Sequence, residues 1–255
     1  PALTAPLNNM VTNDPNTAFD WEAVVYGVKY ELAIDTDTKF AAPVYRTVTD
    51  LTETGYTPDT ALDNNKYYWR VRAMNVNGVW GAWSAYRVLT VDTTPPPAPV
   101  LSSPANNAIV RAAPKYIWKA VSGAVRYQLQ YDDDAGFEGA LYTSGELIPA
   151  AGATSINFTP APAQDLGSYY WRVRALDAAG NWGAWSTGWL VEYRPPIPAA
   201  PLLTAPGSAA LLNDNTPLME WSNPAGAAGC EVLIDTDSGF AAPVVRDGEV
   251  SESRY

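Results

Sequence analysis

The sequence predicts an all-β protein made of tandem β-sandwich repeats, with an incomplete third copy. Two observations lead to this fold class. Residues 1–98 and 99–200 carry the same sequence pattern, and residues 201–255 repeat only its first half. Within each copy, apolar and polar residues alternate with period two between clusters of turn-forming residues, which is typical of short β-strands.

Two signatures recur in all three copies. The first is a tryptophan with a large residue two positions before it, in the pairs Phe19/Trp21, Tyr116/Trp118 and Met219/Trp221. The second is an alternating run that ends in an acidic turn, at residues 30–37, 127–134 and 230–237. In the first of these runs, Tyr30, Leu32 and Ile34 share a face that is predicted to point into the core.

A third signature occurs only in the first two copies. It joins Tyr-Tyr-Trp-Arg-Val-Arg-Ala to Trp-Gly-Ala-Trp-Ser, at residues 67–73 with 80–84 and at residues 169–175 with 182–186. Alternation places Trp69 and Val71 on the inner face of this strand and Arg70 and Arg72 on its outer face. About seven short strands in about 100 residues indicate an immunoglobulin-like sandwich.

Each repeat resembles a fibronectin type III domain. The early tryptophans Trp21, Trp118 and Trp221 match the buried tryptophan on the second strand of that family. The strand Tyr67-x-Trp69-x-Val71-x-Ala73-x-Asn75-x-x-Gly78 matches the family's Tyr-x-x-x-Val-x-Ala-x-Asn-x-x-Gly pattern, with Leu62 in the place of the leucine beneath the tyrosine. The second repeat departs from this pattern, because Leu166 precedes Tyr169 by three residues instead of five.

The combined pattern is similar to the tandem repeats of large secreted or surface-attached bacterial proteins. This resemblance implies a modular spacer or adhesive role, an extracellular or cell-surface location and no intrinsic enzymatic activity. Proline-rich segments at residues 93–99 and 194–201 are predicted to be semi-rigid linkers that hold the sandwiches in a rod. The expected partners are other copies of the chain or neighbouring repeats.

Composition excludes several classes of function. The sequence has no histidine and one cysteine, so histidine-based catalysis, internal disulfides and cysteine-rich zinc sites are excluded. The net charge of −11 argues against nucleic-acid binding, which needs clustered basic residues. No apolar run approaches the length of a membrane span. We find no nucleophile–base pair or phosphate-binding loop, and we predict that the chain is not an enzyme.

The third signature predicts a stack of tryptophan and arginine side chains on an outer sheet face. Its members are Arg70, Arg72, Trp80 and Trp83 in the first repeat and Arg172, Arg174, Trp182 and Trp185 in the second. Guanidinium groups between indole rings stabilise such a face. The pattern resembles the Trp-Ser-x-Trp-Ser ladder of cytokine-receptor fibronectin modules, which is structural. The alternative is a carbohydrate-stacking platform, to which Trp189 is a further candidate.

The acidic turns are weak candidates for calcium binding. Their carboxylates are Asp35 and Asp37, Asp132 and Asp134, and Asp235 and Asp237. Calcium takes six to eight oxygen ligands, so one turn supplies too few unless a neighbouring loop adds more. We therefore expect no cofactor, with calcium as the low-ranked alternative. The phenylalanine after each turn, at position 40, 137 or 240, is predicted to anchor the following segment in the core.

The remaining chemical candidates have structural interpretations. Cys230 occupies the inward position of Tyr30 and is predicted to be a buried, inert thiol. Asn157-Phe-Thr159 is a glycosylation sequon, and a single match of this kind is weak. The third copy stops at Tyr255, which indicates a piece of a longer repetitive protein; the alternative is that another subunit supplies the missing strands by β-augmentation.

The sequence supports two functions from different classes. The first is a non-enzymatic extracellular structural or adhesive protein, such as a stalk, surface-layer or filament component. The second is a glycan-binding accessory module of a secreted polysaccharide-active enzyme or surface receptor. Solvent-exposed, coplanar tryptophan rings without stacked arginines favour the second.

Overall fold

The computed structural model describes residues 1–213 and 215–250. Every regular element in this part of the chain is a β-strand, so the predicted all-β fold class is confirmed. No helix there is long and apolar enough to cross a membrane. The chain divides into two compact units, Pro1–Tyr193 and Arg194–Tyr255. Tyr255, with which the third copy ends, lies outside the described residues.

Repeat 1 is a sandwich of two sheets. Its strands are β1 (Leu3–Ala5), β2 (Met10–Thr12), β3 (Phe19–Trp21), β4 (Gly27–Asp35), β5 (Arg46–Leu51), β6 (Gly55–Tyr56), β7 (Asn65–Asn75) and β8 (Arg87–Val91). The small sheet has the order β1-β3-β6, and the large sheet has the order β2-β8-β7-β4-β5. The pairing of β2 with β8 is parallel, and the other pairings are antiparallel.

The inner faces of the two sheets form one aromatic core. Phe19 and Trp21 come from β3, and every second residue of β4 and β7 points toward them. Phe19 packs edge-on against Trp69 with ring centroids 5.1 Å apart, and Trp21 lies 5.6 Å from Tyr30. Each such ring contributes about 1.5–3 kcal/mol by leaving water, which explains why the period-two alternation fixes the fold.

Repeat 2 has the same architecture. Its strands are β9 (Leu101–Ser103), β10 (Ala108–Val110), β11 (Tyr116–Lys119), β12 (Ala124–Asp132), β13 (Tyr142–Thr143), β14 (Ser155–Phe158), β15 (Gly167–Asp177) and β16 (Trp189–Tyr193). The small sheet has the order β14-β11-β9, and the large sheet has the order β10-β16-β15-β12-β13. Trp118 and Trp171 are fully buried between them, and Tyr169 packs at the edge of this core.

One core position differs between the repeats in chemistry but not in place. Tyr116 and Gln164 of repeat 2 occupy the positions of Phe19 and Leu62 in repeat 1. The Tyr116 hydroxyl donates a 2.7 Å hydrogen bond to Oε1 of Gln164, and both side chains are buried. Leu166, the leucine that the sequence places near Tyr169, is instead exposed. An apolar pair has therefore been replaced by a hydrogen-bonded pair.

The unit 194–255 contains two strand pairs in its described part. They are β17 (Leu202–Ala205) with β18 (Glu220–Ser222), and β19 (Cys230–Ile234) with β20 (Val245–Val250). Trp221 is buried, as predicted from its counterparts. Beside it lies a cleft of about 850 Å³, lined mainly by apolar side chains that include Leu203, Met219, Trp221, Cys230, Val232 and Ile234.

Cys230 is only half-buried, so the prediction of a buried thiol is wrong. Tyr30, its counterpart in repeat 1, lies on a strand that has neighbours on both edges. Among the described strands, β19 pairs with β20 alone. The face that carries Cys230 is therefore covered less completely than the same face of the first two repeats. Phe240 is likewise 46% exposed, so its predicted place in a core is also wrong.

Candidate functional site

A stack of aromatic rings and guanidinium groups covers the outer face of the large sheet in repeat 1. The guanidinium carbon of Arg70 lies 4.5 Å from the ring centroid of Trp83, and that of Arg72 lies 4.6 Å from Trp83 and 4.7 Å from Trp80. Register explains the arginine positions, because β7 turns Tyr67, Trp69 and Val71 inward and the residues between them outward. We call this stack the ladder.

Backbone hydrogen bonds hold the tryptophan segment against the edge of β7. The amide of Gly81 donates to the carbonyl of Ala73 at 2.8 Å, and the amide of Ser84 donates to the carbonyl of Val71 at 2.9 Å. The hydroxyl of Ser84 accepts the amide of Val71 in return, at 3.1 Å. The segment thus runs as an irregular extra strand, and this is what brings its indoles over the arginines.

The ladder also includes the phenylalanine of the acidic turn, which the sequence pattern assigned to the core. Phe40 is buried, but it lies on the outer face, where the guanidinium carbon of Arg70 is 3.9 Å from its ring centroid. Its backbone has a positive φ of 51°. This conformation, which is unusual for a bulky residue, turns the chain after the acidic turn so that the ring meets Arg70. The core assignment of Phe40 was therefore wrong.

Repeat 2 contains the same ladder with closely similar distances. The guanidinium-to-centroid distances are 4.0 Å for Arg172–Phe137, 4.7 Å for Arg172–Trp185, 4.6 Å for Arg174–Trp185 and 4.3 Å for Arg174–Trp182. Phe137 is buried, again outside the core cluster, so its core assignment was wrong as well. The five-member stack is therefore a property of the repeat and not of one copy.

The two ladders differ in the side chains that accept hydrogen bonds from their arginines. In repeat 1, Nε of Arg72 donates to the buried carboxylate of Glu31 at 2.6 Å. In repeat 2, Arg172 and Arg174 instead donate to the side-chain amide oxygens of Gln130 and Gln128. The ladder therefore tolerates a carboxylate or a neutral amide as acceptor.

Burial lowers the pKa of the Arg70 guanidinium, and the adjacent positive charge of Arg72 lowers that pKa further. Burial is also the main cause that lowers the pKa of Arg172 and of Arg174. An arginine starts from so high a pKa that it stays charged at neutral pH. These guanidinium groups are thus partly desolvated cations, for which a cation–π contact contributes about 0.5–2 kcal/mol.

The ring positions bear on the carbohydrate alternative. Trp83 and Trp185 each contact two guanidinium groups, and all four ladder tryptophans are half-buried. Trp189 is not a surface platform either, because it is half-buried and packs edge-on against Trp171 with centroids 6.0 Å apart. The rings named as sugar-stacking candidates are thus engaged within the fold.

The acidic turns use their carboxylates for local hydrogen bonds. Oδ1 of Asp35 accepts the amide of Thr36 at 2.8 Å, and Oδ1 of Asp132 and of Asp235 accepts the amide of the next residue in the same way. Oδ1 of Asp37 accepts the amide of Lys39 at 3.3 Å. Within residues 1–213 and 215–250, no three or more acidic or cysteine side chains group together as metal ligands.

The joint between repeats 1 and 2 is a second structured feature of the repeat. Its first half is tied to repeat 1, where the side-chain amide of Asn64 accepts from the amide of Thr93 at 2.9 Å and donates to the hydroxyl of Thr94 at 2.8 Å. Its second half lies on the loop at residues 177–183 of repeat 2. Residues 92–96 are thus held by contacts with both repeats.

Loop 177–183 contacts mainly the main chain of residues 92–96. Nδ2 of Asn181 donates to the carbonyl of Asp92 at 2.7 Å. The carbonyl oxygen of Pro96, a buried residue, lies so close over Gly183 that a Cβ there would be 2.2 Å from it. Nδ2 of Asn13 adds a direct 3.2 Å bond from repeat 1 to the carbonyl of Gly180.

The loop that receives the linker is held rigid from within. Oδ1 of Asp177 accepts the amides of Ala179, Gly180 and Asn181 at 2.8–2.9 Å. Oδ2 of the same carboxylate accepts Nδ2 of Asn181 at 2.9 Å, and this fixes the amide that reaches the linker. Sequence reasoning missed these residues, since nothing in the spacing of Asp177 and Asn181 distinguishes them from ordinary turn residues.

Repeats 1 and 2 are each a β-sandwich of a three-stranded and a five-stranded sheet around one core. No protein-family model and no curated protein matches this chain. Among solved structures, it is similar to fibronectin(III)-like modules of CbhA from Clostridium thermocellum, at 12% identity over 76% of this chain and 94% of that one, with a TM-score of 0.45. It is also similar to the chicken CNTN1 FN1-FN3 domains, at 17% identity over 76% of this chain and 66% of that one, with a TM-score of 0.46. The chain therefore spans just under two thirds of the CNTN1 structure.

Proposed function

We propose that this chain is a non-enzymatic extracellular structural or adhesive repeat protein, such as a stalk, surface-layer or filament component, that acts as a semi-rigid modular spacer. The observation that carries this proposal is the joint between repeats 1 and 2. A spacer must hold its modules at a defined separation, and here the connecting segment is bonded to the module on each side. The proposed partners are other copies of the chain or neighbouring repeats.

The energetics of the joint support a preferred orientation. Asn64 of repeat 1 holds the start of the linker. Asn13 of repeat 1 donates a hydrogen bond to repeat 2, and Asn181 of repeat 2 donates one to the carbonyl of Asp92. A neutral hydrogen bond of this kind contributes about 0.5–1.5 kcal/mol. Because three consecutive prolines also restrict the backbone at residues 95–97, bending at this joint breaks several contacts together.

Composition supports the other parts of the proposal. The absence of histidine removes the commonest general base, and the two similar repeats are organised around structural stacks instead of a reactive cleft. The net charge of −11 favours solubility of a module exposed to solvent. The extracellular and bacterial-surface setting is proposed on the sequence resemblance alone.

The proposal is tested by the distance between the first two repeats. Glu53→Cys and Ala151→Cys place spin labels at exposed sites of the full chain, with Cys230→Ser removing the native thiol. Pulsed electron paramagnetic resonance is expected to give a single narrow distance distribution. Broad distributions, equal in width to those of a variant with a Gly-Ser linker at residues 93–98, contradict the semi-rigid spacer.

A glycan array separates this proposal from the glycan-binding alternative. The alternative needs tryptophan faces without stacked arginine, and Trp83 and Trp185 each contact two guanidinium groups. We therefore expect the full chain to bind no glycan on the array. Binding that disappears in Trp83→Ala and Trp185→Ala counts against the spacer and in favour of an accessory module.

A further inference from the structure

Strand β14 lies at one edge of the small sheet of repeat 2. Among the described strands, it pairs with β11 alone, in an antiparallel register without a bulge. Next to this pair, the carbonyl of Thr154 accepts the amide of Ala120 at 3.0 Å. Backbone groups of successive strand residues point to opposite sides, so those of Ser155 and Asn157 point away from β11. We call this outward row of backbone groups the free edge.

The free edge lacks the features that keep edge strands from pairing. Natural edge strands are commonly protected by charges, prolines, bulges or short length. Residues 153–159 include no charged residue, proline or glycine, and Gly152 and Pro160 bound this segment. Ser155 and Asn157 are exposed, and the isoleucine, phenylalanine and threonine of the segment favour an extended backbone. The free edge is therefore suited to pairing with another strand.

The same edge of repeat 1 is protected. Its strand β6 has two residues, and Glu53 occupies the position of Ser155. The carboxylate of Asp20 lies over this edge, since a Cβ at Gly55 would be 2.6 Å from Oδ1 of Asp20. Repeat 2 has Ile117 in the place of Asp20. Both carboxylates that protect the edge of repeat 1 are thus replaced by uncharged side chains in repeat 2.

The other edge strands of repeats 1 and 2, all of whose residues are described, are shorter or irregular. Strands β1 and β9 have three residues and a shift of register, β2 and β10 have three residues, and β13 has two. Strand β5 has six residues, but it contains Arg46 and Asp50 and its register with β4 shifts. Strand β14 is thus the longest regular and uncharged edge strand in these two repeats.

We propose that the free edge of β14 pairs, in antiparallel orientation, with the free edge of β14 in a second copy of this chain. A two-fold axis at Ile156 sets Ser155 of each copy opposite Asn157 of the other, and both pairs exchange backbone hydrogen bonds. Hydroxyl and amide side chains then face each other on the outer surface, without like charges in opposition.

Charge favours this surface for contact between copies. The chain has a net charge of −11, so two copies repel each other wherever carboxylates meet. An uncharged edge strand avoids that repulsion. The inference rests on the proposed function, in which copies of the chain are partners, and it supplies the surface through which they meet. Because a few neutral hydrogen bonds must offset the freedom lost on association, we expect a dissociation constant of about 1 mM.

The test is amide hydrogen exchange, followed by NMR on the full chain with a reducing agent present. In micromolar protein, the amides of Ser155 and Asn157 are expected to exchange fast, whereas β11 protects those of Ile156 and Phe158. At about 1 mM protein, exchange at Ser155 and Asn157 is expected to slow about twofold or more, because half of the chains are paired. Exchange at Ile156 and Phe158 is expected to stay constant.

Ser155→Glu and Ser102→Glu form a matched pair of variants. The first gives repeat 2 the residue that repeat 1 has at position 53, and it is expected to abolish the slowing at Asn157. The second makes the same change at an exposed site of β9, the opposite edge strand of the same sheet, and is expected to retain the slowing.

Asn157→Pro is a second way to block the free edge. Proline removes the amide that points away from β11, and it leaves the backbone groups that face β11 in place. Exchange at Ser155 is then expected to be the same at micromolar and millimolar protein. The dispersion of the spectrum shows whether this variant is folded, and Ser155→Glu, a change at an exposed site, decides the question if it is not.

Three results would overturn the proposal: exchange at Ser155 and Asn157 that does not depend on protein concentration, slowing that persists in Ser155→Glu, or a loss of slowing that is equal in Ser102→Glu. Slowing confined to amides outside β14 would also overturn it, since copies would then meet through another surface. None of these results alters the distance between repeats 1 and 2 within one chain, so a failure here is distinct from a failure of the spacer function.

Discussion

The substitution Gly183→Ala tests the joint directly, because it adds one methyl group beneath the linker. The new Cβ would lie 2.2 Å from the carbonyl oxygen of Pro96 and 3.2 Å from its carbon. Ordinary van der Waals contact requires about an ångström more. The backbone at Gly183 cannot move away from the linker, because its amide is hydrogen-bonded to the carbonyl of Ala175. The linker must therefore lift away from repeat 2.

The expected cost combines two effects. Overpacking of a closed contact costs about 1–3 kcal/mol, and lifting the linker also weakens the bond from Asn181 to Asp92, worth about 1 kcal/mol. Replacing glycine by alanine offsets about 0.4–1 kcal/mol of this cost, because it lowers the conformational entropy of the unfolded chain. We expect the free energy of unfolding to fall by about 1–3 kcal/mol. Most of this loss weakens the contact between repeats 1 and 2, so the distribution of distances between them broadens.

Gly81→Ala is the control, because it is the same change in the same sequence motif. No atom lies closer than 3.4 Å to its Cβ, so the free energy of unfolding is expected to stay constant or rise slightly. Calorimetric unfolding and the spin-label distances are measured on both variants. Equal effects of the two substitutions would refute a docking role for Gly183, since only that glycine is covered by the linker.

Three further predictions concern the sandwiches. Tyr116→Phe leaves the buried Gln164 without its hydrogen-bond donor and is expected to cost about 1–3 kcal/mol in urea unfolding. Adding Gln164→Leu recreates the Phe–Leu pair of repeat 1 and should recover most of that loss; a double variant as unstable as the single one contradicts the account. Trp83→Ala loses two guanidinium contacts and Trp80→Ala one, so the first should destabilise repeat 1 by about 1–4 kcal/mol and the second by about half as much. Equal losses would show that stacking is not the cause. Excess Ca²⁺ and a chelator should give the same melting temperature, since the acidic turns bond their own backbone amides; a rise with Ca²⁺ would reinstate a calcium site.

The fold was predictable because its signals are local and repeated. Alternation in the run 30–37 and in the strand 67–73 identifies inner and outer faces without any knowledge of the partner strand. Repetition of both runs shows that they belong to one module, and the tryptophan two residues after Phe19 marks the opposite sheet. The position of Arg70 and Arg72 outside the sandwich follows from the same period.

What the sequence could not predict depends on single backbone angles or on contacts between repeats. The positive φ of Phe40 sends its ring to the outer face, and a hydrophobic pattern cannot distinguish that ring from a core residue. The burial of Gln164 cannot be read from a hydrophobic pattern, because glutamine is polar. Its partner, the hydroxyl of Tyr116, lies 48 residues away in the sequence. Docking of Pro96 on Gly183 joins two modules, so no period within one module reveals it.

The joint recognises carbonyl groups, since Asn181 bonds the main chain of Asp92 and Gly183 makes room for that of Pro96. Side chains along the linker can therefore drift during evolution without loss of the contact. Loop 75–81, in contrast, has Val79 in the place of Asn181. Exchanging repeats 1 and 2 would therefore put a valine where the side-chain amide of Asn181 bonds the main chain of the preceding repeat. The order of the two modules along the chain thus matters for this joint, although their folds are the same.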